Sequence, residues 1–167
     1  TNNSVKYLTN KIKKSQDIDF FWINSYYLSS AHLMNFPKPF DIKHLPKKMQ
    51  THSPLKKNKK INFYGLIDHR LCYDFLLGIF VNCFRRKLWE KNLHVIDYKL
   101  MKDPKTWSNF ENTAFFIKVF CEAFGNSKAF FCAKPLSVNL SSIREWGDLY
   151  PLVEIVRIPE MLDYYRS

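Results

Sequence analysis

Glycine is the residue this chain most conspicuously lacks. The four it has, Gly65, Gly78, Gly125 and Gly147, stand far apart. A GxGxxG fingerprint or a Walker-type loop needs clustered glycines, because backbone N–H groups must approach phosphate closely. Neither loop can be built here, so a self-contained Rossmann or P-loop nucleotide site is excluded. The G-x-S-x-G nucleophile elbow is excluded on the same ground. Wholesale disorder is excluded too. With 46% hydrophobic and 17% aromatic residues over 167 positions, the chain has the material for one domain with a real core.

The formal net charge is +11. A basic protein of this size is drawn to polyanions: nucleic acid, an anionic membrane face or phosphorylated substrates. Between Pro37 and Lys60 eight lysines and four prolines stand against one acid, Asp41, so this segment carries +7 of the total. Prolines interrupt a ladder and like charges repel, so an exposed, mobile loop is expected over 37–60. It reads as a phosphate-binding flap, a membrane-surface anchor or a merely solvated loop.

Cys72, Cys83, Cys121 and Cys132 show no C-x₂₋₄-C spacing, and each has apolar neighbours. They read as buried free thiols suited to a reducing cytoplasm. No signal peptide or membrane span is recognisable; the longest apolar stretch, Leu71 to Phe84, contains Asp74 and Asn82. The chain begins at Thr1 and stops at Ser167 just after an apparent helix. Both ends read as cuts, so a fragment of a longer protein is expected.

Val5, Leu8 and Ile12 at helical spacing predict a helix over 3–14, with Ser4 as its cap. The run Phe20 to Tyr27 suits a buried strand. Asn62 to Ile67 reads as a short strand or extended entry, followed by a helix over His69–Leu77 capped by Asp68 and stopped at Gly78. Ile79 to Phe84 then reads as a core strand, although one unbroken helix over 68–91 keeps the same spacing. A short helix follows from Arg85 to Lys91, then a turn at Asp103-Pro104. The helix over 111–124 has the clearest pattern, with a Lys118–Glu122 i,i+4 pair and a stop at Gly125-Asn126. A strand over 128–140 broken at Pro135 and a last helix from Ile158 complete the reading.

Few residues suggest chemistry. Asp17-Ile18-Asp19 is a D-x-D, but it precedes a strand, whereas metal-holding D-x-D pairs normally follow one; a turn or cap is the plainer reading. Asp68, His69 and Arg70 form either a polar site at a strand-to-helix junction or a helix cap with exposed neighbours. Arg85, Arg86 and Trp89 can contact phosphate, or can begin a helix with basic side chains snorkelling to water. Glu111 falls in a first helical turn, where a carboxylate stabilises its own helix or serves as a general base. Arg144 with Trp146 suits a sugar or diphosphate platform, or interdomain packing. The histidines lack metal-ligand spacing, so no metal site is proposed.

Taken in order, these pieces resemble a known family. Ile79 to Trp89 resembles the second-half strand of family 2 glycosyltransferases with the GT-A fold, in which a strand ends in an Arg-containing turn and enters a short helix. Phe110-Glu111-Asn112-Thr113 sits where that family carries an acidic motif at a helix start, with Asn112 in place of the second acid. The segments Asn3 to Leu8 and Asp19 to Asn24 look like the helix and strand that follow the family's metal-binding D-x-D. The likeness is closest to abequosyltransferase-like enzymes of bacterial surface-polysaccharide assembly.

The resemblance implies an α/β fold: an incomplete GT-A-like mixed sheet with flanking helices, lacking the N-terminal nucleotide-binding half. It implies an inverting transferase that moves a sugar from a nucleotide-sugar donor to a glycan or lipid-linked acceptor. Glu111 would be the base, and Asp68, His69, Arg70, Arg85, Arg86, Trp89, Arg144 and Trp146 would bind acceptor or phosphate. Donor and divalent ion (Mg or Mn) would be needed only by the full-length enzyme, and the fragment alone would be inactive. The expected location is cytoplasmic, peripheral on the inner face of the plasma membrane. The alternative is a basic, non-enzymatic module that binds nucleic acid, with Tyr26, Tyr27 and Trp107 stacking on bases. Against it, no RNP-like, KH or zinc-finger pattern is present. A domain without any site is the third reading.

Overall fold

The aromatic and β-branched run beginning at Phe20 forms β1 (Phe20–Leu28), the strand that organises the molecule. The computed structural model describes residues 2–29, 41–68, 71, 81–105, 108–140 and 150–166. In it β1 lies parallel to β5 (Lys128–Leu140). On its other side β1 pairs antiparallel with β4 (Asn82–Phe84) near its start and with β2 (Gln50–Thr51) near its end. β3 (Lys59–Asn62) pairs antiparallel with the outer side of β5. The result is a five-stranded mixed sheet, order β2-β1-β5-β3 with β4 also on β1, flanked by helices. The chain is thus a mixed α/β protein.

Each sheet face has its own cover. α1 (Asn2–Lys14) lies over one face, where Tyr7 and Ile12 pack against Ile18, Phe21, Phe130 and Cys132. Lys11, Lys13 and Lys14 occupy its last turn, where the helix dipole favours cations. The opposite face holds the larger core. There α4 (Phe110–Phe124) and α6 (Ile158–Arg166) close over Phe20, Trp22, Phe63, Ala129 and Phe131. Phe20 is fully buried, edge-on to Phe63 and Phe120 at centroid distances of 5.0 Å each, and stacked on Phe84 at 5.9 Å. These offset and edge-to-face arrangements are the ones ring quadrupoles favour. Smaller pieces join the elements: α2 (Arg86–Lys91), α3 (Tyr98–Met101), α5 (Tyr150–Leu152) and a π-helical turn over Val153–Arg157.

The β1–β5 ladder breaks once. Ile23 pairs with Cys132, but Ser25 pairs with Ser137, so β5 carries extra residues around Pro135. Proline cannot donate to a ladder, and a bulge accommodates it. The side chain of Asn24, 1% exposed, takes over the lost bonding. Its Nδ2 donates to the carbonyls of Ser53 and Ala133, each at 3.1 Å, and its Oδ1 accepts from the Ser53 N–H at 3.0 Å. Asn58 Oδ1 accepts from the Ala133 N–H at 2.9 Å. Two side-chain amides thus do what backbone pairing cannot do at the bulge.

Several expectations need correction. Residues 41–60 of the Lys/Pro-rich segment are mostly exposed or half-buried, but they are not loop throughout. They hold a 3₁₀ turn over Ile42–His44, the strand β2 and the start of β3, because Pro46 and Pro54 flank the strands instead of interrupting them. Positions 37–40 lie outside the described residues. Phe63–Leu66 is a 3₁₀ turn following β3, not a strand. α1 begins at Asn2, so Ser4 lies inside it, and Val5 from the supposed apolar stripe is 67% exposed. Lys118 pairs with Glu111, seven residues back, where an i,i+4 bond to Glu122 was expected. Apart from Leu71, the helix expected over His69–Leu77 falls outside the described residues, as do the first residues of the strand from Ile79, Cys72 and Trp107.

Candidate functional site

Two polar features stand out: the first turn of α4 and a cleft beside the β5 bulge. The first is built by local capping. Asn109 Oδ1 accepts from the Asn112 N–H at 3.0 Å, and Asn112 Oδ1 accepts from the Asn109 N–H at 3.4 Å. This reciprocal box satisfies two donors that the helix leaves free. Asn112 Nδ2 also donates to the Lys105 carbonyl at 2.7 Å and to Ser108 Oγ at 2.9 Å. Aspartate there would keep the acceptor and lose the donor. The amide, which departs from an acidic pair, therefore has a structural reason in this chain. At Ala114 the backbone leaves helical geometry (φ −144°, ψ 28°), so the first turn is a separate piece from the rest of α4.

Glu111 lies in that turn and is 3% exposed. Its Oε1 accepts a hydrogen bond from Lys118 Nζ, and the ammonium also lies 5.6 and 5.4 Å from the ring centroids of Phe110 and Tyr164. Burial on its own would lower the Lys118 pKa; the hydrogen bond and charge of Glu111 outweigh it and raise the value. Arg157, buried in the π-helical turn, donates from Nη2 to the Ser108 carbonyl at 2.9 Å and pairs through Nη1 with Glu160 at 2.5 Å. The C-terminal helices thereby hold the segment that leads into Glu111. This anchoring is invisible in sequence, because Ser108 and Arg157 are 49 positions apart.

The other predicted residues scatter. Arg85 is exposed, but its guanidinium already has partners. Its guanidinium clasps Asp19 and the carbonyls of Gln16 and Ile18, closing the turn into β1. Asp17, the other acid of the D-x-D, pairs with Lys60 at 3.3 Å and with Lys128 at 3.9 Å. Both carboxylates thus answer lysine and arginine. Arg86 makes an exposed i,i+4 pair with Glu90. Trp89 is half-buried and packs on Phe84 and Phe120 at 5.2 and 5.5 Å at the edge of the core. Asp68 is half-buried beyond the 3₁₀ turn, and its carbonyl accepts from the Leu71 N–H at 2.7 Å. His69, Arg70, Arg144 and Trp146 lie outside the described residues. Among the described residues no group of three or more His, Cys, Asp or Glu is arranged to hold a metal ion. Cys83, Cys121 and Cys132 are free thiols whose pKa values burial pushes up, Cys121 to about 12, which is the opposite of a reactive nucleophile.

Sequence reasoning missed the second feature. A cleft of about 760 Å³ opens where α1, the end of β1, the segment before β3 and the β5 bulge meet. Tyr7 and Tyr26 line it with Lys56, Lys134, Gln50 and Asn58, and none of the described residues lining it is acidic. Lys134 Nζ stands 4.7 Å from the centroid of the Tyr7 ring. The bulge at Pro135 was the one signal in the sequence, since irregular strands re-aim side chains.

Among the described residues no helix is long and apolar enough to cross a membrane. Comparison with protein-family models, with curated proteins and with solved structures finds no match to this chain.

Proposed function

We propose that the chain is the acceptor-side part of an inverting, GT-A-like glycosyltransferase, with Glu111 as the base that takes the proton from an acceptor hydroxyl. The observation that supports this reading most is the setting of Glu111. It is a carboxylate in the first turn of a helix, paired with one ammonium and held from behind by Arg157 through Ser108. A general base must be held in position, and the capped helix start together with the Lys118 hydrogen bond does this. The element order agrees: β4 runs through Arg85 into α2, and α4 follows on the same side of the sheet as the main core.

The burial of Glu111 sets a condition on the chemistry. An acceptor hydroxyl reaches the carboxylate only when Lys118 swings aside or the first turn moves, and the break at Ala114 makes that turn the separable part of α4. By the resemblance, donor nucleotide and divalent ion would be held by the N-terminal half of the full-length enzyme.

The test is transfer from a nucleotide-sugar donor by the full-length enzyme. Glu111→Gln is expected to lower turnover about 10²- to 10⁴-fold, the usual contribution of a general base. Lys118→Met breaks the same pair from the other side and leaves the carboxylate in place. If both variants lose activity only in proportion to their loss of stability, Glu111 is a structural partner of Lys118 and the assignment fails.

A further inference from the structure

The cleft at the β5 bulge has a composition that selects its ligand. Two amines, Lys56 and Lys134, line one hollow, and among the described residues neither has a carboxylate partner. The Lys134 ammonium is held at the wall by the Tyr7 ring. Two like charges facing one space repel, and an anion between them relieves that repulsion. The rest of the lining is built for hydroxyls and C–H faces. Tyr26 brings a ring and a phenol. Gln50 brings an amide. Asn58 spends its carbonyl oxygen on the Ala133 N–H, which leaves its NH₂ as a donor. The volume of about 760 Å³ lies within the range of small-ligand sites. The bulge itself is pinned by Asn24 and Asn58, so the walls are preorganised by buried hydrogen bonds.

From this arrangement we infer that the cleft is a binding site for an anionic saccharide, a short glycan bearing carboxylate or phosphate groups. The amines take the charged groups, the amides and phenols take hydroxyls, and the exposed tyrosine surface packs on sugar C–H faces. Nucleic acid fits less well. A strand needs a groove that follows successive phosphates with a series of stacking rings, whereas this cleft gathers its amines and rings in one hollow. The site stands apart from Glu111 and Lys118, which do not line it, so it is tested independently of the transferase reading.

The experiment is calorimetric titration of the chain with four probes: a hyaluronan tetrasaccharide, the neutral chitin tetrasaccharide, inorganic pyrophosphate and single-stranded oligothymidine. The acidic tetrasaccharide is expected to bind at least about tenfold more tightly than the neutral one. Lys56→Gln and Lys134→Gln are each expected to weaken it about three- to fivefold. Both side chains are exposed, so folding is preserved, and the neutral probe should be unaffected by either change. Equal binding of acidic and neutral sugars would overturn the proposal. So would pyrophosphate binding as tightly as the acidic sugar, which would reduce the cleft to a bare phosphate site. Oligothymidine binding more tightly than the sugars, with a steep salt slope, would turn the chain into a nucleic-acid module. Absence of binding by all four probes would remove the site.

Discussion

The two halves of the β1–β5 seam use the same strands to opposite ends. From Phe20 to Ile23, paired with Ala129 to Cys132, the register is regular. Helices cover both faces there, and Phe20, Trp22 and Phe131 disappear into an aromatic core. From Ser25 to Leu28, paired with Ser137 to Leu140, the register has shifted. Asn24 and Ser53 are buried at that border, and a polar cleft opens beside it. The first half is held by packing, which is non-directional and tolerant of detail. The second is held by a few directed hydrogen bonds, which are costly to leave unmade. Stability therefore concentrates at one end of the sheet, and ligand chemistry becomes affordable at the other.

The largest expected effect breaks the packed half. Phe20→Ala removes a ring that touches Phe63, Phe84, Phe120 and Phe124, and should cost about 3–5 kcal/mol. That is a large part of the stability of an ordinary domain. Urea unfolding measures it, and a loss near that of a surface substitution would mean the aromatic cluster is not the core.

Asn24→Ala attacks the seam. It takes the Asn24 amide from the Ser53 N–H and the Ala133 carbonyl and leaves the Ser53 carbonyl with Thr51 Oγ1 alone, for about 2–4 kcal/mol. The comparison is sharpened by hydrogen exchange in the same variant. Amides of Ser25 to Leu28 should exchange faster while those of Phe20 to Trp22 stay protected. Uniform acceleration along β1 would show that the two halves are one cooperative unit.

The smallest effect is a pH dependence carried on the packed side. Burial, helped by the Glu122 carboxylate, pushes the Cys121 thiol up to about 12 from an ordinary 9.0. The unfolded chain gives up this proton first, so the contribution is intact below about pH 9 and is lost as pH rises toward 12. Burial raises the Tyr165 phenol well above its ordinary value as well, which acts in the same direction. Thermal melts across the alkaline range should therefore fall more steeply for the native chain than for Cys121→Ala. Parallel curves would mean that Cys121 reaches water in the folded state.

Legibility in the sequence followed the range of the forces involved. The strand at Phe20–Leu28, the helices at Asn2–Lys14 and Phe110–Phe124, the short helix after Arg85 and the irregularity at Pro135 all follow from local pattern, and the structure has them. Glu111 was legible as a first-turn carboxylate. Its partner was not, because i,i+4 spacing pointed Lys118 to Glu122, and only the break at Ala114 with burial under Phe110 and Tyr164 turns the ammonium to Glu111. Arg85 carried the right charge for phosphate, yet it is consumed by Asp19, 66 residues away. The cleft left a single trace in the sequence, the irregularity at Pro135. Its tyrosines, lysines and amides come from four separate segments that only the sheet brings together.

What the sequence by itself determined is the main strands and helices and the absence of a glycine-built phosphate loop, since both depend on backbone preferences within a few residues. Only the tertiary structure decided which charges are spent on one another and which remain open to a ligand. That choice depends on distances across the fold, where burial and competing partners decide whether a carboxylate or an ammonium is still available.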